Sequence, residues 1–334
     1  MRFVIAYEGL LNISSLNLER EAEIRKMPVV YWENGEPKFI PEIPAISGPM
    51  LKHWHFRNLV ELSREDKDSL CFFCNQLQAI RIPPKKVQEY YKISYSKREI
   101  ELINNCAGED VHGFLITEKD EALRRESCVL FSWAIGLPRF SEEYRRIVVV
   151  QHTRNISSIP PDAPEELREL RKMQMLYPRP YASDLIGFTS IANLSRIGVS
   201  YTDNLQKVDA NIRKKRQRNT ILAYARMIQG EIGANLARGL PASIPITVFL
   251  AASKKGTIPA PIHPIYPNYL IESARLFEGI KELFRDEYAV RIYAPYISEA
   301  VKDEITKILG NNVAFVDNPY TGFKDIIGFL GLDG

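Results

Sequence analysis

The chain has 334 residues, 45% of them hydrophobic, and its 44 Lys and Arg against 41 Asp and Glu leave a net charge of only +3. That length and apolar content describe a folded, soluble chain with a real core, built as one large domain or two ordinary ones. Four cysteines are too few for a disulfide scaffold, no segment approaches a membrane span, and Met1 leads into RFVIAYEGLL without an export signal, so the expected compartment is the cytoplasm. Mild basicity permits a nucleic-acid partner without demanding one, and the placement of the charges has to decide.

Residues 2 to 9 alternate Phe3, Ile5 and Tyr7 against Val4 and Ala6, the pattern of a strand with one face in the core. Asn17 to Lys26 then mixes Arg20, Arg25 and Lys26 with Glu19, Glu21 and Glu23. A candidate RNA contact and a mixed-charge surface loop or helix compete for it. Val29 to Trp32 and Lys38 to Ile40 flank Asn34-Gly35, which accepts the positive φ values of a two-residue hairpin turn.

The stretch AISGPMLKHWHFRNLVEL, residues 45 to 62, opens a helix. Ser47 is a ready N-cap and Pro49 suits the first turn. Leu51, His55, Leu59 and Leu62 form one helical stripe, while Lys52, His53 and Arg57 cluster near the start on other sides. Cations in the first turns of a helix, where free N–H groups already favour phosphate, point to an anion site. A solvated amphipathic helix is the plainer alternative.

Residues 64–123 change character, with a charge run at Arg64 to Asp68, then CFFC, then Pro83-Pro84-Lys85-Lys86, then a Tyr- and Lys-rich patch from Tyr90 to Arg98. Too few aliphatic residues are present for an independent core, and small units of this kind are commonly stapled by a metal. Cys71 and Cys74 have the spacing that lets two thiolates reach one tetrahedral ion. Cys106 is the third candidate ligand, His55 the fourth and His112 the reserve, with an ordinary buried thiol pair as the competing explanation. The expected cofactor is a structural zinc.

Arg124 and Arg125 enter a second core strand at Cys128 to Trp133. Neighbours on a strand point to opposite faces, so one can lie along a bound backbone while the other pairs internally with Glu126 or a neighbour. Ile147 to Thr153 reads as a third core strand and hairpin partner. A Pro-rich linker and a short helix from about Pro164 to Leu176 follow, ending on Tyr177-Pro-Arg-Pro-Tyr181, with Met173 to Tyr181 suited to a base or a neighbouring subunit. Strands are expected at Ile186 to Ala192 and Arg196 to Thr202, then a helix from about Asp209 to Glu231. Arg213, Lys214, Lys215, Arg216 and Arg218 crowd its start with no acid between them, an arrangement that opposes the helix dipole and invites a compensating anion. The loop GANLARGLPASIP carries Arg238, and its small residues allow close backbone approach. Tyr269 to Val316 alternates helix, strand, helix, strand and shows no chemical motif.

Strand, helix, strands, helix and strand is the order of an α+β, RRM-like (ferredoxin-like) core with two insertions and a C-terminal α/β extension. The core takes residues 1–63, 124–153 and 186–334; the insertions are 64–123 and 154–185. The strand leading to EGLLNISSLN, the turn and helix AISGPMLKHWHFRNLVEL, RRES before a strand and the basic helix ending in ARGLP together resemble the DevR branch of the RAMP superfamily, the Cas seven family. That family supplies the backbone subunit of type I CRISPR surveillance complexes (Cascade). CFFC, the third cysteine and EDVHGF make the chain most similar to the type I-D variety.

The resemblance implies a non-enzymatic protein that binds guide RNA largely independently of sequence and polymerises along it. Its implied partners are the guide, the target DNA strand through the guide, other copies of itself and other Cascade subunits, and no membrane. It assigns RNA contact to Lys52, His53 and Arg57, to Arg124 and Arg125, and to Gly233–Leu240 with Arg238; the residue reading adds Arg20, Arg25, Lys26, Arg213, Lys214 and Arg216. It makes 64–123 a lid and 154–185 a thumb. Relatives that cleave RNA use an aspartate after the first strand, where Ile13 to Met27 here has glutamates and none. Two other readings are a RAMP-type endoribonuclease using His53 or His55 as general acid or base and a DNA-binding autoregulator.

Overall fold

The computed structural model describes the chain apart from residues 21–22, 80–82, 97, 119–120, 141, 155–159, 161, 173–174, 235, 237–238 and 334, with backbone alone at some further positions, Arg20 and Met175 among them. Arg238 and Met173 therefore lie outside the described residues. No helix among those described is long and apolar enough to cross a membrane.

The first strand, β1 (Arg2–Ser14), runs five residues past its predicted end and is the middle of a ten-stranded sheet. Antiparallel partners flank it: β2 (Met175–Ala192) on one side and β3 (Ala242–Ser253) on the other. Beyond β2 come Ala134–Gly136, Glu36–Ile46 and the edge strand Lys26–Glu33; beyond β3 come Tyr288–Tyr293 and, parallel to it, Val313–Phe315. The edge hairpin turns on Asn34 and Gly35, both at positive φ, as expected.

Alternation in β1 sorts two cores. Phe3, Ile5, Tyr7 and Leu11 pack with Leu51 and Leu59 of α1 (Gly48–Glu65), with Ile221 and Tyr224 of α2 (Ala210–Met227), and with Phe323 and Ile326 of the last helix, Pro319–Phe329. Val4 and Ala6 face Phe277 and Ile305 of the helices Tyr269–Phe284 and Glu299–Leu309. The sheet is covered on both faces, and a side chain of β1 buried at about 2 kcal/mol each holds one layer or the other. The last helix was not anticipated, although Asn318, whose side chain accepts from Tyr320 N–H, and Pro319 together make a good helix start.

Three predicted elements differ. Ile147 to Thr153 is not a core strand: Val148–Arg154 pairs with Met175–Tyr181, and Val148, Val149 and Val150 are exposed, while Val129–Phe131 pairs with Ser190–Ala192. A β-branched run signals a strand but not its layer. Arg196 to Thr202 forms turns, because Gly198 sits at φ 73 and its N–H donates to both oxygens of Asp110. The 17–26 segment holds two short strands, Leu18–Arg20 and Glu23–Ile24.

Candidate nucleic-acid interface and thiol cluster

Three chain segments meet at the end of the sheet where α1 begins. Ser47 caps α1 by accepting from Met50 N–H at 3.3 Å, and its own N–H donates to Asn17 Oδ1 at 2.9 Å. This ties the loop after β1 to the helix start. Ala234 N–H donates to Leu16 O at 2.6 Å, and a Cβ on Gly233 would stand 2.8 Å from that oxygen, so the glycine loop after α2 presses on the same loop. Only a glycine, here at φ 110, allows the approach.

Arg57 of α1 is tied to this junction through Trp54. Trp54 Nε1–H donates to Gly233 O at 2.8 Å, and the Arg57 guanidinium lies over the Trp54 ring at 5.0 Å. A stacked guanidinium keeps its N–H edge available to phosphate. Lys52 and His53 are half-buried on the same turns. The Arg25 backbone bridges Asn17 and Ala45, and its side chain pairs with Glu19 and lies over Trp133 at 5.7 Å. Lys26 pairs with exposed Glu42 at 2.9 Å. The side chain of Arg20 and all of Arg238 lie outside the described residues.

Four other predicted contacts do different work. Arg125 is fully buried, bonded to Glu99 at 2.9 Å and Asp110 at 2.7 Å, and it donates to the carbonyls of Asp110, Val199 and Arg196. Arg216 is equally buried, on Asp68 at 2.7 and 2.9 Å and Asp110 at 3.1 Å. Arg213 donates to the Ile197 and Ser195 carbonyls, and Lys214 to that of Asp333. The basic start of α2 did require compensating anions, but the protein supplies them: Asp209 as N-cap, then Asp68 and Asp110. Arg125 and Arg216 are thus removed from the RNA-contact set, since neither reaches solvent. Arg124 is the outward member of its pair, 70% exposed beside Glu126.

The Sγ atoms of Cys71, Cys74 and Cys106 lie within 4.8 Å of one another, two buried and Cys71 at the surface of the group. Bonds from the Cys106 and Cys74 thiols hold Cys71 far below its ordinary range; the same contacts push Cys74 up, and chiefly burial pushes Cys106 up. Three sulfurs gathered this closely, two of them buried, are a donor set that a soft divalent cation fits, by turning all three into thiolates. His55 is not the fourth ligand. Its Nε2–H donates to Thr220 O at 2.9 Å, so Nδ1 must accept from His112 Nε2–H at 3.0 Å, and burial holds the ring neutral, its pKa lowered to about 3. Helical direction from sequence could not show that His55 lies on the α2 side of α1.

Sequence reasoning missed Trp54, Trp133 and Asn17 at the junction and Glu99 and Asp110 in the buried network. The unbalanced cations of α2 were the signal for the latter: acids such as Glu109-Asp110, with few cations nearby in sequence, were their natural complement.

Residues 5–274 match the family described as CRISPR-associated negative auto-regulator DevR/Csa2. The chain is similar to the CRISPR-associated protein Cas7/Cst2/DevR of Methanocaldococcus jannaschii, 33% identical over 286 residues that cover 82% of this chain and 87% of that one. A protein of the same name from Thermoproteus tenax is 27% identical over 246 residues, 70% and 69% of the two chains. Among solved structures, a chain of a CRISPR RNA-guided surveillance complex, pre-nicking, has the same fold, with a TM-score of 0.56 over 99% of this chain and 100% of that chain at 11% identity. With the match running from β1 through β3 and into the helix Tyr269–Phe284, the chain belongs to the CRISPR-associated DevR/Csa2 family.

Proposed function

We propose that this protein binds single-stranded guide RNA through its backbone, largely independently of sequence, and polymerises along it as the backbone subunit of a CRISPR surveillance complex of the type I-D variety, without catalysing a reaction. The observation that carries this is the junction of the Asn17 loop, the α1 start and the Gly233 loop, bordered by Arg57 and Arg25, with Lys52 on the first turns of the same helix. Among the described residues it offers charge and backbone but no base-reading pattern. The RNA-guided complexes named among the similar structures support the partner class. In this reading β1, α1, Val129–Phe131, β2, α2 and β3 form an RRM-like core, in sheet order β3, β1, β2 and Val129–Phe131; residues 64–123 are the lid and 154–185 the thumb that meets a neighbouring copy. Target DNA is reached through the guide, alongside other Cascade subunits, in the cytoplasm. A structural zinc on Cys71, Cys74 and Cys106 would fix the CFFC turn to the Cys106 helix and neutralise the thiolates.

Titration on RNAs fitting one subunit and several tests this reading. Sequence-tolerant, salt-sensitive binding that becomes cooperative on the longer RNA, with the RNA left intact, is expected; site-specific cuts lost in His53→Ala would transfer the function to an endoribonuclease. The family description favours one further reading, autoregulation through duplex DNA, which tighter binding to its own promoter than to single-stranded RNA would support.

A further inference from the structure

The Tyr- and Lys-rich patch takes no part in that junction. Its centre is the short helix Lys85–Tyr91, none of whose residues is buried. A helix that buries nothing contributes little to the core, yet this one displays Tyr90 at 79% exposure and Tyr91 at 47%. Phe72, Tyr91 and Tyr90 form a run of rings with centroids 5.3 and 5.0 Å apart, and buried Phe73 backs it from 5.6 Å. Phe72 and Phe73 lie between Cys71 and Cys74, so the thiol cluster sets the footing of the rings.

In sequence, cations outnumber carboxylates on and beside this helix. Lys85, Lys86 and Lys92 are exposed, and Glu89, the lone carboxylate between Pro83 and Arg98, lies 4.0 Å from Lys85. Lys92 ends the helix at φ 53 and ψ 41, a conformation glycine takes freely and lysine does not. The chain thus keeps a cation where the backbone disfavours one. Aromatic faces open to solvent, with exposed lysines on and beside the same helix, are the components of a stacking platform for unpaired bases, whose phosphates the lysines meet.

We propose that the Lys85–Tyr91 helix is a second contact for single-stranded RNA, with unpaired bases stacked on Tyr90 and Tyr91 and phosphates on Lys86 and Lys92. The choice of RNA over DNA rests on the RNA-binding reading above; the residues are different, so the two fail separately. A duplex, its bases already stacked on one another, gains nothing from the rings. A protein partner would use the rings but has no need of Lys86 and Lys92, the lysines left over once Lys85 faces Glu89.

The test uses the full chain and single-stranded RNA carrying 2-aminopurine, with DNA of the same sequence and a duplex as further arms. Binding should quench the fluorophore on the single strand and leave it unchanged in the duplex. Tyr90→Leu with Tyr91→Leu should abolish the quench and weaken RNA binding about tenfold, the scale of one base stack. The Tyr→Phe pair should keep both, and Lys86→Glu with Lys92→Glu should flatten the salt dependence. Lys52→Ala with Arg57→Ala should weaken binding while keeping the quench. Unchanged affinity in the Tyr→Leu pair overturns the second contact and leaves the α1 reading standing; loss of self-association in place of RNA binding assigns the patch to a protein contact. Quenching by DNA and not by RNA overturns the choice of RNA.

Discussion

Asp110 and Arg216, 106 residues apart in sequence, meet at 3.1 Å with both side chains fully shielded from water. The other Asp110 oxygen holds Arg125 at 2.7 Å, and Gly198 N–H donates to both. One carboxylate thus pins the 64–123 segment to α2 and to the turn after β2. Burial raises the Asp110 pKa and the two arginines oppose that rise, so removing either arginine leaves an uncompensated charge. Arg216→Met is expected to cost about 3–5 kcal/mol in chemical denaturation. Arg124→Ala, at the surface, should stay within about 0.5 kcal/mol. A Met variant as stable as the parent would show that the network contributes specificity alone.

Lys52 and Arg57 should act on RNA affinity without touching stability. Each phosphate contact removed lowers the slope of log affinity against log salt by about 0.7 for a single strand. Arg57→Ala is therefore expected to weaken binding equally across unrelated sequences, with a shallower salt dependence in fluorescence anisotropy. An effect confined to one sequence would replace phosphate contact with base reading.

The thiol cluster predicts about one zinc per chain in elemental analysis of protein purified without chelator. Chelation should lower the melting temperature and expose the Cys71–Cys74 turn to alkylation, whereas Cys128, buried elsewhere and bonded to the Asp110 carbonyl, should remain protected. Cys74→Ser should reproduce the loss. Zinc-free protein with unchanged melting on chelation would reduce the cluster to buried thiols.

The acid limb of stability should carry two opposing groups. Buried His55 titrates near 3 when folded and near 6.5 when unfolded, so the unfolded chain binds more protons between those values and stability falls as pH drops through that window. Asp184, raised to about 6 by burial despite Arg145, has the opposite sign: it favours the folded state below about 4 and loses that contribution as pH rises to 6. His55→Gln is expected to flatten the acid limb between pH 6.5 and 4, and Asp184→Asn to steepen it. Stability curves at half-unit pH intervals decide both.

The sequence was legible where a residue type has one local meaning. Ser47, Asn34-Gly35 and Asp209 mark their turns and caps because backbone chemistry a few residues long demands them. Cys71 and Cys74 likewise found Cys106. What could not be read was direction. Arg125 and Arg216 look like ligand-seeking cations in one dimension and are internal ties in three, because their partners Glu99, Asp110 and Asp68 are brought to them by the fold of the 64–123 segment, for Arg216 from at least 106 residues away. His55 failed as a ligand for the same reason: partners absent from a one-dimensional reading take its nitrogens, Thr220 of the facing helix at Nε2 and His112 at Nδ1.

The 18 residues of β2, Met175–Ala192, are one uninterrupted strand. Its inner part, Ala182–Ala192, runs antiparallel along β1 from Ser14 to Phe3, with the Ser190 hydroxyl bonded to the Tyr224 hydroxyl at 2.6 Å, and its outer part, Met175–Tyr181, carries Val148–Arg154 beyond the core. At about 3.3 Å per residue its contour reaches nearly 60 Å of continuous extended backbone, the pairing passing from Val148–Arg154 to β1 between Tyr181 and Ala182. A load at its tip is delivered to the centre of the sheet instead of being absorbed in a loop, so whatever the tip touches is held at a set reach, as by a ruler.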